Sequence, residues 1–512
     1  MTHTLLRPCL LAAGLTFATA AQAQTPAPNR FITDSLDSYI RRGMQKWDVP
    51  GLAVVVVKDG QVVVQKGYGV RQVGKPEPVD ANTLFMIASN TKLFTGTALA
   101  KLDGEKKINL DERVTKYLPD FRLYDSTASR LVTVRDLMSH HLGFKTFQGD
   151  FTFFKSNLER AEIVRRMRLM QPTRQFRKDY GYSNSAFVAA GEVIPAATGG
   201  TSWETYVQQN LLQPLGMTST FVSSAGFGQR PNIAYAYSNT FGPLARVPFD
   251  NWDNMAPCAS MVSNVTDLGK WLRFQLDSGR YEGRQVLPWA ALRKTRDANT
   301  IISSRKSAVY PMHFVTYGLG VEAADYNGRQ VFWHTGGASG EVSNVCFVPE
   351  AGLGIAVLTN NDNQSFFEAL RYQLLDSYLG MPYVDRSAQA LARRKASQST
   401  APDPTAALAA RVSKKNKAPL QLSAYTGEYE NPLFGRIQIS QKGKQLLITL
   451  PNHPGLTATL DYMDGQEFRA TYSDLVFGVM PAKFVVADGK VQTVELRVND
   501  YVEEDPYVFA RK

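Results

Sequence analysis

Apolar and polar positions change rhythm along the chain. Leu52 to Lys58 and Gln61 to Tyr68 are β-rich runs separated by Asp59-Gly60, a dipeptide that favours positive φ and so a two-residue hairpin turn. A helix then begins near Ser89, with Leu93, Phe94, Ala98, Leu99 and Leu102 at helical spacing. Residues 110 to 290 read mostly as helices and loops. Gln330 to His334 and Leu353 to Thr359 read as strands, and Gln364 to Leu379 as a closing helix. Early strands, a helical middle and late strands predict a single sheet built from both ends of residues 30 to 384, with a helical domain inserted between them.

After residue 421 the rhythm becomes short alternating runs: Arg436 to Ser440, Leu446 to Leu450, Glu467 to Ala470, Lys483 to Val486 and Val491 to Val498. Lys442-Gly443-Lys444, Asp464-Gly465 and Asp488-Gly489 supply turns between them. This predicts a small antiparallel β-barrel or sandwich over 421 to 512. Residues 385 to 420 are Ala-rich, hold eight basic residues against Asp385 and Asp403, and are broken by Pro402, Pro404 and Pro419. They read as a solvated basic linker.

Composition narrows the class. The chain has 512 residues, 44% apolar and 20% charged, which excludes wholesale disorder. No run of 18 apolar residues exists, so a polytopic membrane protein is excluded. The net charge of +11 invites an anionic partner. Much of that excess sits in the linker, however, so nucleic acid is not expected. Arg7, the short apolar run Leu10 to Ala21 and the Ala21-Gln22-Ala23 cleavage pattern read as a signal peptide over 1 to 23, hence a periplasmic or secreted protein with no transmembrane segment once mature. Cys258 and Cys346 remain after cleavage, either paired or as two buried thiols. No two histidines or cysteines of the mature chain stand at zinc-ligand spacing, so neither metal nor cofactor is expected.

The candidate chemistry lies in three short motifs. Ser89-Asn90-Thr91-Lys92 places a hydroxyl and an amine at i and i+3 of a helix start, on one face. A serine needs a nearby base, and a lysine can serve if burial lowers its pKa. Tyr182-Ser183-Asn184 is a Tyr-x-Asn. His334-Thr335-Gly336-Gly337 stands at a strand end. Each motif is weak alone: Ser303-Ser304-Arg305-Lys306 repeats the first, and Tyr237-Ser238-Asn239 and Tyr429-Glu430-Asn431 repeat the second.

In this order the motifs resemble the serine β-lactamase and penicillin-binding-protein superfamily, closest to its class C β-lactamase, esterase and D-aminopeptidase branch. Pro50-Gly51-Leu52-Ala53, Phe85 to Ser89, Thr133 to His140 and Pro214-Leu215-Gly216-Met217 extend the resemblance over residues 30 to 380. The segment 421 to 512 resembles the lipocalin-like domain appended to some members. The resemblance implies a mixed α/β fold with an antiparallel sheet flanked by helices. It also implies Ser89 as the acylated nucleophile, with Lys92 and Tyr182 sharing proton transfer. Asn184 would hydrogen-bond the substrate amide or orient Lys92, Thr335 would contact substrate, and the Ser89 and Gly337 backbone N–H groups would form the oxyanion hole. His334 stands where many members carry lysine. As a substrate-facing cation its charge would fade above about pH 6.5; the alternative is a neutral imidazole holding the turn. The implied activity is hydrolysis of small amides, peptides or esters, with class C-like β-lactamase, D,D-carboxypeptidase and carboxyesterase as alternatives and a non-catalytic penicillin sensor as the rival of another class. The expected partner is a small molecule or short peptide. Oligomeric state is not legible.

Overall fold

The computed structural model describes residues 29–240, 242–400 and 404–512; the signal-like segment 1 to 23 lies outside them. An eight-stranded antiparallel sheet runs in the order Gln61–Gly69, Gly51–Lys58, Leu353–Thr359, Glu341–Val348, Arg329–Ala338, Glu322–Tyr326, Val315–Tyr317, Thr300–Ser303. The early hairpin therefore meets the late strands directly, with Leu52 opposite Thr359. Asp59 and Gly60 take φ of 49° and 77°, the left-handed pair a tight hairpin requires.

The strand Gly51–Lys58 shows no hydrophobic alternation because both its faces are covered. Ala53, Val55 and Val57 face one core, together with Trp271 and Leu272 of helix Val265–Leu276. Leu52, Val54 and Val56 face the other, with Tyr39, Ile40, Phe366 and Leu370 of the flanking helices Leu36–Lys46 and Phe366–Tyr378. Helix Thr91–Gly104 is buried on nearly every side and forms the axis of the first core.

Residues 427–511 form a closed barrel of eight antiparallel strands, sealed where Gly427–Asn431 pairs with Tyr507–Arg511. Its interior is filled by side chains, Tyr425 packing edge-on against Phe468 and Phe484.

The segment read as a solvated linker is instead built around two helices, Arg386–Thr400 and Pro404–Ser413. Several of its arginines are anchors. Buried Arg386 pairs with Asp376 at 2.6 Å, Arg394 donates to the Asn363 carbonyl at 2.8 Å, and Arg411 reaches Asp464 and Glu467 on the barrel. Cationic composition suggested solvation; the partners lie outside the segment, ten residues before Arg386 at Asp376 and more than fifty after Arg411 at Asp464 and Glu467, where the segment's own composition cannot register them.

Candidate active site

Ser89 lies in a tight turn, Ala88–Asn90, between the short strand Phe85–Met86 and helix Thr91–Gly104. Ala88 takes φ of 44°, a strained value for a residue with a side chain. The surroundings hold it there. Ser343 donates to the Ile87 carbonyl at 2.7 Å and accepts from Asn90 at 2.8 Å, and Glu341 accepts the Met86 N–H at 3.0 Å. Gly336 passes so close that a Cβ there would lie 2.0 Å from the Ile87 carbonyl oxygen.

One turn along, fully buried Lys92 directs its amine at three oxygens: Ser89 Oγ at 3.1 Å, Asn184 Oδ1 at 2.7 Å and the Cys258 carbonyl at 3.0 Å. Burial lowers the ammonium to about 8, with the Cys258 and Asp150 side chains pulling the other way. The amine also lies 4.7 Å from the centroid of the Tyr182 ring. The Tyr182 hydroxyl hydrogen-bonds Ser89, and burial raises its pKa well above the usual phenol value. Asn184 is oriented from behind by Asp150, whose Oδ2 accepts its amide N–H at 2.6 Å. Burial pushes the Asp150 carboxyl up to about 7.

His334 lines the same pocket but is not a cation. Its Nδ1 faces the Thr335 carbonyl at 2.7 Å, so this nitrogen carries the proton and donates. Its Nε2 then accepts the Tyr317 hydroxyl at 2.9 Å. Burial, reinforced by the Lys92 charge, drives its pKa down to about 3. The expectation of a substrate-facing cation is corrected accordingly; the neutral imidazole fits. Thr335 Oγ1 accepts Asn344 Nδ2 at 2.9 Å.

These groups open into a cavity of about 420 Å³, lined by Ser89, Tyr182, Asn184, His334, Thr335 and Gly337 among others. Tyr501 and Val502, from the barrel, also line it. A Cβ on Gly337 would meet the Tyr501 hydroxyl at 2.5 Å. Three carboxyl groups, Asp150, Glu322 and Asp362, line the cavity, and no lysine or arginine is among the lining residues.

All the residues singled out from the three motifs thus converge. The repeated patterns do not join them: Ser303 ends an edge strand, Tyr237 belongs to a separate short strand pair, and Tyr429 packs inside the barrel. Cys258 and Cys346 are both buried free thiols.

A family model described as Beta-lactamase matches residues 36–378, more than half of the chain. The chain belongs to the beta-lactamase family. A second model, a domain of unknown function (DUF3471), matches residues 411–511, the barrel together with the last turn of helix Pro404–Ser413 and the segment between them. Among curated relatives, the "Unguisins hydrolase ungD'" of Aspergillus campestris is 27% identical over 78% of this chain and 76% of its own length. "Protein flp" of Staphylococcus aureus is 25% identical over 64% of this chain, which spans 63% of that protein's length. The octameric penicillin-binding protein homologue from Pyrococcus abyssi shares the fold at a TM-score of 0.59, with 21% identity, covering 94% of this chain and all of that one. A relative named a hydrolase and a penicillin-binding-protein-like architecture thus accompany this beta-lactamase-family chain.

Three residues of the site escaped the sequence reading: Asp150, Tyr317 and Tyr501. Each acts through a contact set by the tertiary fold, and none lies in a recognisable local motif. Among the described residues no helix is long and apolar enough to cross a membrane.

Proposed function

We propose that this protein is an exported serine hydrolase that acts on small amides, peptides or esters through an acyl-serine intermediate. The observation that carries the reading is the buried Lys92 amine within hydrogen-bond reach of Ser89 Oγ, with its pKa lowered to about 8. At neutral pH a useful fraction of this lysine is unprotonated, whereas Tyr182 stays a neutral phenol. Lys92 is therefore the base. Ser89 Oγ attacks the substrate carbonyl carbon as its proton passes to Lys92 Nζ. Negative charge collects on the former carbonyl oxygen, against the backbone N–H groups of Ser89 and Gly337. As the tetrahedral species collapses, the bond to the leaving amine or alcohol breaks and the proton returns to that group through the Tyr182 hydroxyl. Water then attacks the acyl carbon by the reverse proton route and frees Ser89.

The neutral His334 and the carboxyl-lined cavity favour neutral or amine-bearing substrates over carboxylate-bearing ones. This ranks an amidase, peptidase or esterase above a β-lactamase or D,D-carboxypeptidase. The hydrolase name of the Aspergillus relative agrees with catalysis rather than with a sensor.

A fluorophosphonate label with mass mapping tests the mechanism. Ser89 should carry the label, and Ser89→Ala should lose about 10³-fold or more of turnover. A label at Ser303, or retained turnover in Ser89→Ala, would sink it. Export is tested by N-terminal sequencing of the processed protein, which should begin at Gln24; an intact Met1 terminus would refute it.

A further inference from the structure

The short helix Asp150–Phe153 joins the barrel to the catalytic groups. Its Phe151 ring is fully buried in the barrel mouth, 4.8 Å from Phe434 and 5.2 Å from Tyr507, with Phe477 at 6.1 Å. Its backbone is held from the barrel side by Glu503. Glu503 Oε1 accepts the Gly149 N–H at 2.8 Å, and Oε2 accepts the Phe151 N–H at 2.9 Å and the Tyr507 hydroxyl at 3.0 Å. On the pocket side stands Asp150, with Oδ2 on Asn184 and Oδ1 buried without a partner. Asn184 Oδ1 in turn accepts from Lys92. The carboxylate behind Asn184 and the amine in front of it fix which way its amide points.

We infer that the C-terminal barrel is part of the catalytic apparatus: Glu503 clamps the Gly149–Phe151 backbone so that Asp150 orients Asn184 against Lys92, making Glu503 and Asp150 positioning residues for proton transfer at Ser89. The inference rests on the Ser89–Lys92 reading above. Neither Glu503 nor Asp150 would bond to substrate in this role. The barrel's contribution is the placement of a peptide segment that the catalytic part alone leaves without a partner for two N–H groups.

A positioning role leaves a mark on pH dependence that a structural one does not. Five titratable groups face Lys92: Asp150, Cys258, His140, His334 and Tyr182. Burial holds both histidines neutral, and burial raises the Cys258 thiol to about 12 and the Tyr182 phenol well above its usual range. Asp150 is faced in turn by Glu503, Tyr507 and Lys92. Asp150 is thus the group whose charge tunes Lys92 near neutrality, by stabilising the ammonium. Asp150→Asn keeps an acceptor for Asn184 and removes the charge, so Lys92 should lose its proton at lower pH.

The test uses full-length protein. Fluorophosphonate labelling of Ser89 and turnover of p-nitrophenyl acetate are measured from pH 5.5 to 9.5, with thermal melts, for wild type, Glu503→Ala, Glu503→Gln and Asp150→Asn. Glu503→Ala is expected to lower kcat by about tenfold or more with KM little changed, and Glu503→Gln, which retains one acceptor oxygen, to recover part of it. Asp150→Asn should move the acid limb of the rate profile down by about half a pH unit or more. Wild-type kcat in Glu503→Ala would overturn the inference. If that variant fails to fold, Asp150→Asn decides, and an unmoved acid limb overturns it. A wild type that never labels at Ser89 strikes the parent mechanism and takes this inference with it; a labelled wild type matched by Glu503→Ala strikes the inference alone.

Discussion

At the scale of single residues, environment outweighs identity. His334 occupies a position where lysine would hold a permanent charge, yet its two nitrogens are used up by the Thr335 carbonyl and the Tyr317 hydroxyl. With its pKa driven to about 3, it does not titrate between pH 5.5 and 8.5. Any divergence between the profiles of a carboxylate-bearing and a neutral ester across that range should therefore follow the Asp150 and Glu322 carboxyls of the cavity wall, both pushed up to about 7 by burial, and should persist in His334→Gln. His334→Lys should slow both by similar factors, since it puts a second amine beside buried Lys92 and strips Tyr317 of its acceptor. A divergence that His334→Gln abolishes would restore the cation reading. The shared acid limb belongs to Lys92. Rates should climb as pH rises towards about 8, because deprotonation makes the base. Tyr182→Phe should cost about 10²–10⁴-fold in acylation while leaving the melting temperature near that of wild type, and Tyr237→Phe should leave rates near wild type. The three motifs were legible because each brings its residues within three positions of one another. Asp150 was not, because it meets Asn184 only after the intervening chain has folded back.

At the scale of elements, the site depends on one strand passing very close to one turn. Strand Arg329–Ala338 runs beside the Ser89 turn, and Gly336 permits the approach: any Cβ there would fall against the Ile87 carbonyl, a backbone atom that cannot swing away. Gly336→Ala should displace the nucleophile turn and reduce labelling of Ser89 by on the order of 10²-fold, as small misplacements of reacting groups do. Gly337 is different. Its added methyl would meet the Tyr501 hydroxyl, the far end of a side chain that is still 44% exposed. Gly337→Ala should thus lose activity that Gly337→Ala/Tyr501→Phe recovers in part, a double-mutant cycle that reports contact between barrel and oxyanion turn. Additive losses would place Tyr501 elsewhere in solution. The hairpin at Asp59-Gly60 was legible from local turn chemistry. Strand Glu341–Val348 was not, since it is buried on both faces and carries Ser343 and Asn344 in mid-run, which breaks any alternation. The barrel strands Gly427–Asn431 and Tyr507–Arg511 escaped for another reason: each is short, and they pair across roughly the whole length of the barrel sequence.

At the scale of the whole molecule, sequence texture separated the barrel from the sheet, and the structure couples them. The catalytic core and the barrel core are continuous through Phe151, and ion pairs brace the seam: Lys145 with Asp505 at 2.6 Å, and Lys155 with both Asp250 at 2.8 Å and Asp474 at 2.7 Å. None of these pairings has a local signature, so composition marked a boundary without revealing the joint. Phe151→Ala measures the coupling. Removing a fully buried ring typically costs about 3–5 kcal/mol, and here the cavity would open between two cores. All six tryptophans precede residue 404, so tryptophan fluorescence follows the catalytic part alone, while far-ultraviolet circular dichroism also sees the barrel strands. In urea, wild type should give coincident midpoints by the two probes, and Phe151→Ala should shift both downwards together. If the dichroism signal instead split into two steps, with fluorescence following only one of them, the barrel would be an independently stable attachment and its grip on the Asp150 helix too weak to matter for catalysis.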